Sequence, residues 1–146
     1  DEPSIDEKDI INLNSKMIET NSNIGTLAAE VKDKKIFRNQ NIVKVVTKEK
    51  LSNKNFPSAL IFKRNNISKE EKNIYHHIGI YAYNVKTLKK FINLNQTKNE
   101  IENKLEQLRA LDNNIEINVT LAKSSPIGID TKEDYLALKK IMEYKS

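Results

Sequence analysis

Cysteine and tryptophan are absent from this 146-residue sequence, and glycine and proline occur only three times each. Without cysteine the chain can form no disulfide and no thiolate metal site, and it has no cysteine nucleophile. Long apolar runs are lacking too, because stretches such as residues 78–82 are far shorter than the roughly 20 residues that span a membrane. These absences favour a globular domain that does not enter a membrane and that suits a reducing compartment.

Arginine is also scarce, although the chain is basic, with a net charge of +5. Only three of its 25 basic residues are arginine, namely Arg38, Arg64 and Arg109. Proteins that read phosphate or nucleic acid favour arginine for its bidentate fork, and the lysines here are interleaved with acids rather than clustered. Composition therefore favours a solvated lysine surface, with a non-enzymatic module that binds nucleic acid or an acidic partner as the alternative.

The common catalytic motifs are missing as well. The sequence contains no P-loop, no G-x-G-x-x-G, no H-E-x-x-H and no G-x-S-x-G. Function must therefore be sought in patterns of residues on the predicted elements.

Hydrophobic periodicity predicts strands that alternate with helices in a single domain, residues 1–146. Helices are predicted over 4–21, over 86–92, from a Thr97–Glu100 capping box to 113, and from 130 or 131 to the C-terminal end. Strands are predicted over 24–31, 42–47, 59–63, 74–83 and 115–121, the second and third as a hairpin. We expect the third helix to bury Ile101, Leu105 and Leu108, and the last to bury Tyr135, Leu138, Ile141 and Met142. The order predicts an α/β fold with a mixed sheet and a ligand site beyond the carboxyl ends of its strands.

The strand predicted over 74–83 has two faces that differ in composition. A period of two places His77, Gly79 and Tyr81 on one side together with Tyr75 and Tyr83. A ligand with several hydroxyls could lie in the gap at Gly79, bonded by His77 and Tyr81. An ordinary sheet face covered by a helix explains the same aromatics, so the pattern leaves both interpretations open.

Three acidic residues and one amide residue are further candidates for a functional site. Glu106 and Gln107 flank the apolar stripe of the third helix, where they could recognise sugar hydroxyls or belong to a solvated helix face. Asp1 and Asp130 each precede a helix, which is usual for an N-cap. If the fold brought these two aspartates together, they would suit Mg²⁺ with water and phosphate as the other ligands.

Six segments, in order along nearly the whole chain, resemble motifs of the CMP-Kdo synthetase family, the 3-deoxy-manno-octulosonate cytidylyltransferases. They are D-E-P at 1–3, N-I-V-K-V-V at 41–46, A-L-I-F-K-R at 59–64, H-I-G-I-Y-A-Y at 77–83, L-E-Q-L-R-A-L at 105–111, and G-I-D-T with E-D at 128–134. Each is weak alone, but the ordered set is specific for this family among cytidylyltransferases.

The resemblance implies a fold and a reaction. The fold would be a three-layer, mixed-sheet, nucleotide-diphospho-sugar transferase-like (Rossmann-like) domain, of which this chain is the C-terminal portion without the N-terminal nucleotide-binding strands. The reaction would join CTP and Kdo into CMP-Kdo and pyrophosphate for lipopolysaccharide biosynthesis, in the cytoplasm and in a homodimer. A cytidylyltransferase for a related acid sugar such as 8-amino-Kdo is the near alternative, and the chain alone would be inactive.

The resemblance also implies roles for seven residues. Asp1 and Asp130 would be catalytic ligands of Mg²⁺, and Arg64 would lie near the acid sugar and the phosphates. The residues that would contact Kdo are His77, Tyr81, Glu106 and Gln107.

Overall fold

The computed structural model describes residues 5–68, 70–123 and 132–144. Five helices are found in this part of the chain: α1 (Glu7–Thr20), α2 (Val85–Phe91), α3 (Lys98–Asn103), α4 (Leu108–Asp112) and α5 (Lys132–Glu143), with a 3₁₀ turn at Lys34–Arg38. Five strands accompany them: β1 (Ile24–Ala29), β2 (Lys44–Thr47), β3 (Ala59–Lys63), β4 (Ile74–Tyr83) and β5 (Ile117–Leu121).

The strands form one mixed sheet in the order β3-β2-β4-β1-β5. β2 pairs antiparallel with β3, which confirms the predicted hairpin, and β4 pairs antiparallel with both β2 and β1. β1 and β5 are parallel. The α/β class with a mixed sheet is therefore confirmed.

Helices cover both faces of the sheet and make three layers. On one face, Phe91 of α2 and Leu108 of α4 pack with Phe62 and Tyr75 of the sheet. On the other face, α1 packs its buried Leu13 and Met17 against strand residues that include Leu27 and Ile78. Each fully buried leucine contributes about 1.5–3 kcal/mol to folding, so both layers stabilise the sheet.

Close packing of α1 on the sheet explains one of the few glycines. A Cβ atom at Gly25 would lie 2.7 Å from the Met17 sulfur and 2.9 Å from a Leu13 methyl group. The helix itself begins after Asp6, whose carboxylate accepts a hydrogen bond from the Lys8 amide, as one of the two predicted N-caps. Ser4, the other candidate, lies outside the described residues.

The predicted third helix is wrong in its continuity, because the chain forms α3 and α4 with a corner between them. The Thr97–Glu100 capping box is confirmed, but Lys104 takes a left-handed conformation (φ 53°) and ends α3. The Leu105 amide then closes the end by bonding to the Glu100 carbonyl at 3.2 Å. Leu105 and Leu108 are buried as predicted, whereas Ile101 is 58% exposed because the corner turns it away from the sheet.

The predicted burial of the last helix is also largely wrong. Leu138 is buried, but Tyr135, Ile141 and Met142 are exposed. The physical reason is that α5 makes little contact with the other described elements, so most of its apolar stripe finds no cover. Its predicted start at 130 or 131 lies outside the described residues.

None of the described helices has the length and apolar character needed to cross a lipid bilayer.

Candidate functional site

A continuous row of rings runs across the sheet face beneath α2 and α4. His77 packs edge-on against Phe62 with ring centroids 4.9 Å apart, and it lies 5.5 Å from Tyr81. Tyr81 is 6.1 Å from Tyr83, which is in turn 5.9 Å from Phe91 of α2. We call these five residues the aromatic row, and it links β3, β4 and α2.

A bulge in β4 explains why His77 and Tyr81 still share a face as predicted. Tyr81 pairs with Thr26 of β1, but the next β1 residue, Leu27, pairs with Ile78, so residues 79 and 80 are skipped. Skipping an even number of residues preserves the alternation of faces, because side chains alternate with a period of two. Gly79 lies within this bulge, and a Cβ atom added there would meet nothing within 4 Å, so there is open space at this position.

His77 is a neutral, buried histidine. Burial, and secondarily the neighbouring His76, lowers its pKa to about 3. Its Nε2 atom lies 2.9 Å from the hydroxyl oxygen of Thr26. At neutral pH the ring therefore has one proton and can offer one donor and one acceptor.

Glu106 acts electrostatically on both tyrosines of the row. Burial raises the pKa of Tyr81, and Tyr83 and Glu106 raise it further. Burial and Glu106 also raise the pKa of Tyr83, while Arg109 partly opposes them. Both phenols consequently stay protonated and can donate hydrogen bonds beside an exposed carboxylate.

An ion pair fixes the corner that contains Glu106. Arg109 of α4 donates from Nε and Nη2 to the two carboxylate oxygens of Glu100 on α3, at 2.8 and 2.5 Å. The guanidinium also lies over the Phe91 ring, 4.9 Å from its centroid. The hydrogen bond from Arg109 is the main cause of the lowered pKa of Glu100. The corner is thus clamped to the end of the aromatic row.

Gln107 directly follows the exposed Glu106 in this corner and is itself buried. Its side chain is 9% exposed, yet it does not cap α4 and makes no hydrogen bond to another described residue. The exposed side chain of Glu106 likewise makes no hydrogen bond or ion pair within the described part of the chain. Buried polar groups normally have partners, so the unpaired amide of Gln107 is a feature that ligand sites show.

The structure brings some of the predicted site residues together and not others. His77, Tyr81 and Glu106 belong to one cluster, with Gln107 beside it in the chain. The side chain of Arg64 instead donates from Nη1 to the carbonyls of Gln40 and Asn41, both at 3.4 Å.

The predicted metal ligands stay untested. Asp1 and Asp130 both fall outside the described residues. Within residues 5–68, 70–123 and 132–144 no group of three or more histidine, aspartate or glutamate side chains could hold a metal ion.

Sequence reasoning missed Lys44, which is 1% exposed on β2. Its ammonium donates to the carbonyls of Asn39 at 2.9 Å, Ile42 at 2.7 Å and Arg64 at 2.5 Å. Lys44 thereby holds the backbone of Arg64 against the start of β2. The available signal was a lysine within an otherwise apolar, β-branched run.

The model of a family described as cytidylyltransferase matches residues 1–117. A 3-deoxy-manno-octulosonate cytidylyltransferase of Bartonella tribocorum is 34% identical over 142 residues, which cover 97% of this chain and 58% of that protein. The enzyme of the same name from Thermodesulfovibrio yellowstonii is 42% identical over 152 residues, covering 97% of this chain and 57% of that protein.

A solved structure shows the shared fold. It is a CMP:2-keto-3-deoxy-manno-octonic acid synthetase complexed with CTP, and it superimposes with a TM-score of 0.85 at 24% identity. The match covers 100% of this chain and 60% of that one. The chain thus spans somewhat more than half the length of the relatives that it matches.

Proposed function

Because this chain belongs to the cytidylyltransferase family, we propose that its protein transfers the cytidylyl group of CTP to Kdo. The anomeric hydroxyl of Kdo attacks the α-phosphorus of CTP, a new O–P bond forms, and the bond to pyrophosphate breaks. The products are CMP-Kdo and pyrophosphate. Support comes from the curated relatives named above and from the ordered motifs that carry the same resemblance.

One observation supports Kdo recognition above the others: the set of polar groups in and beside the aromatic row. A neutral imidazole, two protonated phenols, a carboxylate and a buried unpaired amide together offer several donors and several acceptors. Such a mixture suits a ligand rich in hydroxyls. Since Glu106 is negative, the hydroxyls of the acid sugar rather than its carboxylate would face this residue.

Positioning is the contribution we assign to these residues. His77, Tyr81, Glu106 and Gln107 would orient the sugar so that its anomeric hydroxyl meets the α-phosphorus in line. Arg64 would contact the carboxylate of the sugar and the phosphates after its guanidinium leaves the carbonyls of Gln40 and Asn41, while Lys44 holds the Arg64 backbone through its carbonyl.

Asp1 and Asp130 are proposed as ligands of Mg²⁺. When bound, this ion would neutralise negative charge on the transferring phosphate. We further propose, from the family resemblance, action in the cytoplasm, as a homodimer and in lipopolysaccharide biosynthesis.

The direct test is formation of CMP-Kdo and pyrophosphate by the whole protein, rather than by this chain alone, supplied with CTP, Kdo and Mg²⁺. Parallel reactions with 8-amino-Kdo and with a sialic acid determine the acceptor sugar. A faster reaction with 8-amino-Kdo would replace Kdo as the substrate, and no reaction with any acid sugar would refute the proposal.

Glu106→Gln tests whether the corner recognises the sugar. Loss of a charged hydrogen-bond acceptor should lower kcat/KM for Kdo about 10- to 100-fold while the KM for CTP stays unchanged. Glu102→Gln is the matched control, because Glu102 lies on the neighbouring helix, is 61% exposed and forms only a surface ion pair with Lys98. Equal activity of the two variants would remove Glu106 from the site.

A further inference from the structure

The hydroxyl of Thr26 lies at the bulge of β4 and has three close neighbours. Its oxygen is 2.7 Å from the Ile80 carbonyl, 3.3 Å from the Ile78 carbonyl and 2.9 Å from Nε2 of His77. Thr26 is fully buried, so water does not compete for these contacts. No motif of the sequence drew attention to this residue.

The number of available protons indicates which atom donates and which accepts in each contact. A threonine hydroxyl has one proton, and a carbonyl oxygen can only accept. The shortest carbonyl contact, to Ile80, therefore takes the hydroxyl proton. With the proton assigned to Ile80, the Thr26 oxygen is an acceptor toward His77, which assigns the ring proton of His77 to Nε2.

The other ring nitrogen of His77 has no such partner. Nδ1 makes no hydrogen bond to any residue in the described part of the chain. On this assignment it is an unprotonated acceptor of a residue that is only 6% exposed. The low pKa of His77 agrees with a ring that stays neutral and keeps this acceptor.

We propose that Thr26 is a positioning residue that fixes His77 in the Nε2–H tautomer, so that Nδ1 accepts a hydrogen bond from a sugar hydroxyl. The second half of this statement rests on the proposed function. As a consequence, Nδ1 of His77 would select a ligand group that donates a hydrogen bond. A sugar hydroxyl can donate to Nδ1, whereas a carboxylate or phosphate oxygen would place one acceptor against another. Thr26 thereby sets the orientation of the His77 ring from β1, although β1 carries none of the residues assigned to the sugar.

Nuclear magnetic resonance tests the tautomer on the chain itself. The protein has only two histidines, so long-range ¹H–¹⁵N spectra of labelled protein show two imidazoles, and His77→Gln identifies the one of interest. We expect a protonated Nε2 and an unprotonated Nδ1 for His77 at neutral pH. The opposite tautomer, or a ring with both nitrogens protonated, would overturn the proposal without any variant of Thr26.

Substitution then separates positioning from packing. Thr26→Ser keeps the hydroxyl and should keep the tautomer, whereas Thr26→Val keeps the branched shape and should shift His77 toward a mixture of tautomers. An unchanged His77 spectrum in Thr26→Val would refute the role of the hydroxyl.

Kinetics of the protein test the sugar contact. Thr26→Val should raise the KM for Kdo about 3- to 10-fold and leave the KM for CTP unchanged, with Thr26→Ser close to the parent. A parallel rise in both KM values would indicate a general structural defect and overturn the positioning role. If the parent protein makes no CMP-Kdo, the proposed function fails, while the tautomer of His77 is still decided by the spectra.

Discussion

At the scale of single residues, burial holds the side chains of the site in fixed protonation states. His77 is neutral and the phenol of Tyr81 is protonated because both groups lie on a covered sheet face. A group with a shifted pKa also makes folding depend on pH. We therefore expect these side chains to affect how the free energy of unfolding, as well as the activity, depends on pH.

For His77 the sign of this dependence follows from its two pKa values. The unfolded chain takes up the proton near pH 6.5, whereas the folded chain takes it up only at about pH 3. Between these values the unfolded state binds more protons, so the free energy of unfolding should fall by up to about 1.4 kcal/mol per pH unit on acidification.

Urea unfolding of the parent and of His77→Gln at a series of pH values measures this contribution. Carboxylates such as Glu100, whose pKa is also lowered, add to acid destabilisation in both proteins. Only the difference between the two curves belongs to His77. Parallel curves from neutral pH down to about 4 would contradict a buried neutral ring.

Some of these residues could be predicted from sequence and some could not. Alternation along β4 was enough to place His77 and Tyr81 on one face, because a strand encodes its faces locally. Thr26 and Lys44 were missed because their partners are distant or are backbone atoms. Thr26 meets His77 across 51 positions of sequence, and the carbonyls around Lys44 have no side-chain signal.

At the scale of elements, the corner between α3 and α4 determines where Glu106 and Gln107 lie. The Glu100 carboxylate has two tasks there, since it completes the capping box with Thr97 and receives both hydrogen bonds of Arg109. The pair is mostly buried, with side-chain exposures of 6% for Glu100 and 12% for Arg109. Breaking it leaves a guanidinium without its partner.

Glu100→Gln should therefore destabilise the protein by about 3 kcal/mol, as expected when one member of a buried pair is removed. Thermal and urea unfolding give the value. Glu102→Gln, two residues further along α3, changes the same charge at the surface and should stay within about 1 kcal/mol of the parent. A small effect in both variants would show that the corner does not depend on this pair.

The same corner shows what limits prediction of elements. Apolar spacing identified β3 and β4 with their correct bounds and identified the capping box, because those signals are local. The end of α3 was missed since its left-handed residue is Lys104 rather than the glycine or asparagine that usually marks such an end. The burial of α5 was overestimated for another reason, because amphipathic spacing shows a face but not whether anything covers it.

At the scale of the whole molecule, the described surface retains apolar area on α1. Ile11 is 56% exposed and Ile18 is 72% exposed, and seven residues of separation place them on one side of the helix. Leu60 on the edge strand β3 is 58% exposed as well. Exposed apolar groups of this kind favour association.

We therefore expect this polypeptide to self-associate with increasing concentration, and Ile18→Lys to reduce the association. Sedimentation velocity over a range of concentrations measures it. Asn95→Lys adds the same charge at an exposed position outside α1 and should leave association unchanged. Identical behaviour of the two variants would show that charge rather than the apolar side chain decides.

The aromatic row has a practical consequence for the study of ligands. Since the chain has no tryptophan, its ultraviolet emission comes from five tyrosines, and three of these, Tyr75, Tyr81 and Tyr83, lie on the sheet face that carries the row. A sugar that bonds to Tyr81 or shifts the Glu106 carboxylate would alter their quantum yield. The protein thus contains a built-in optical reporter, and titration with unlabelled sugar can be followed without a dye.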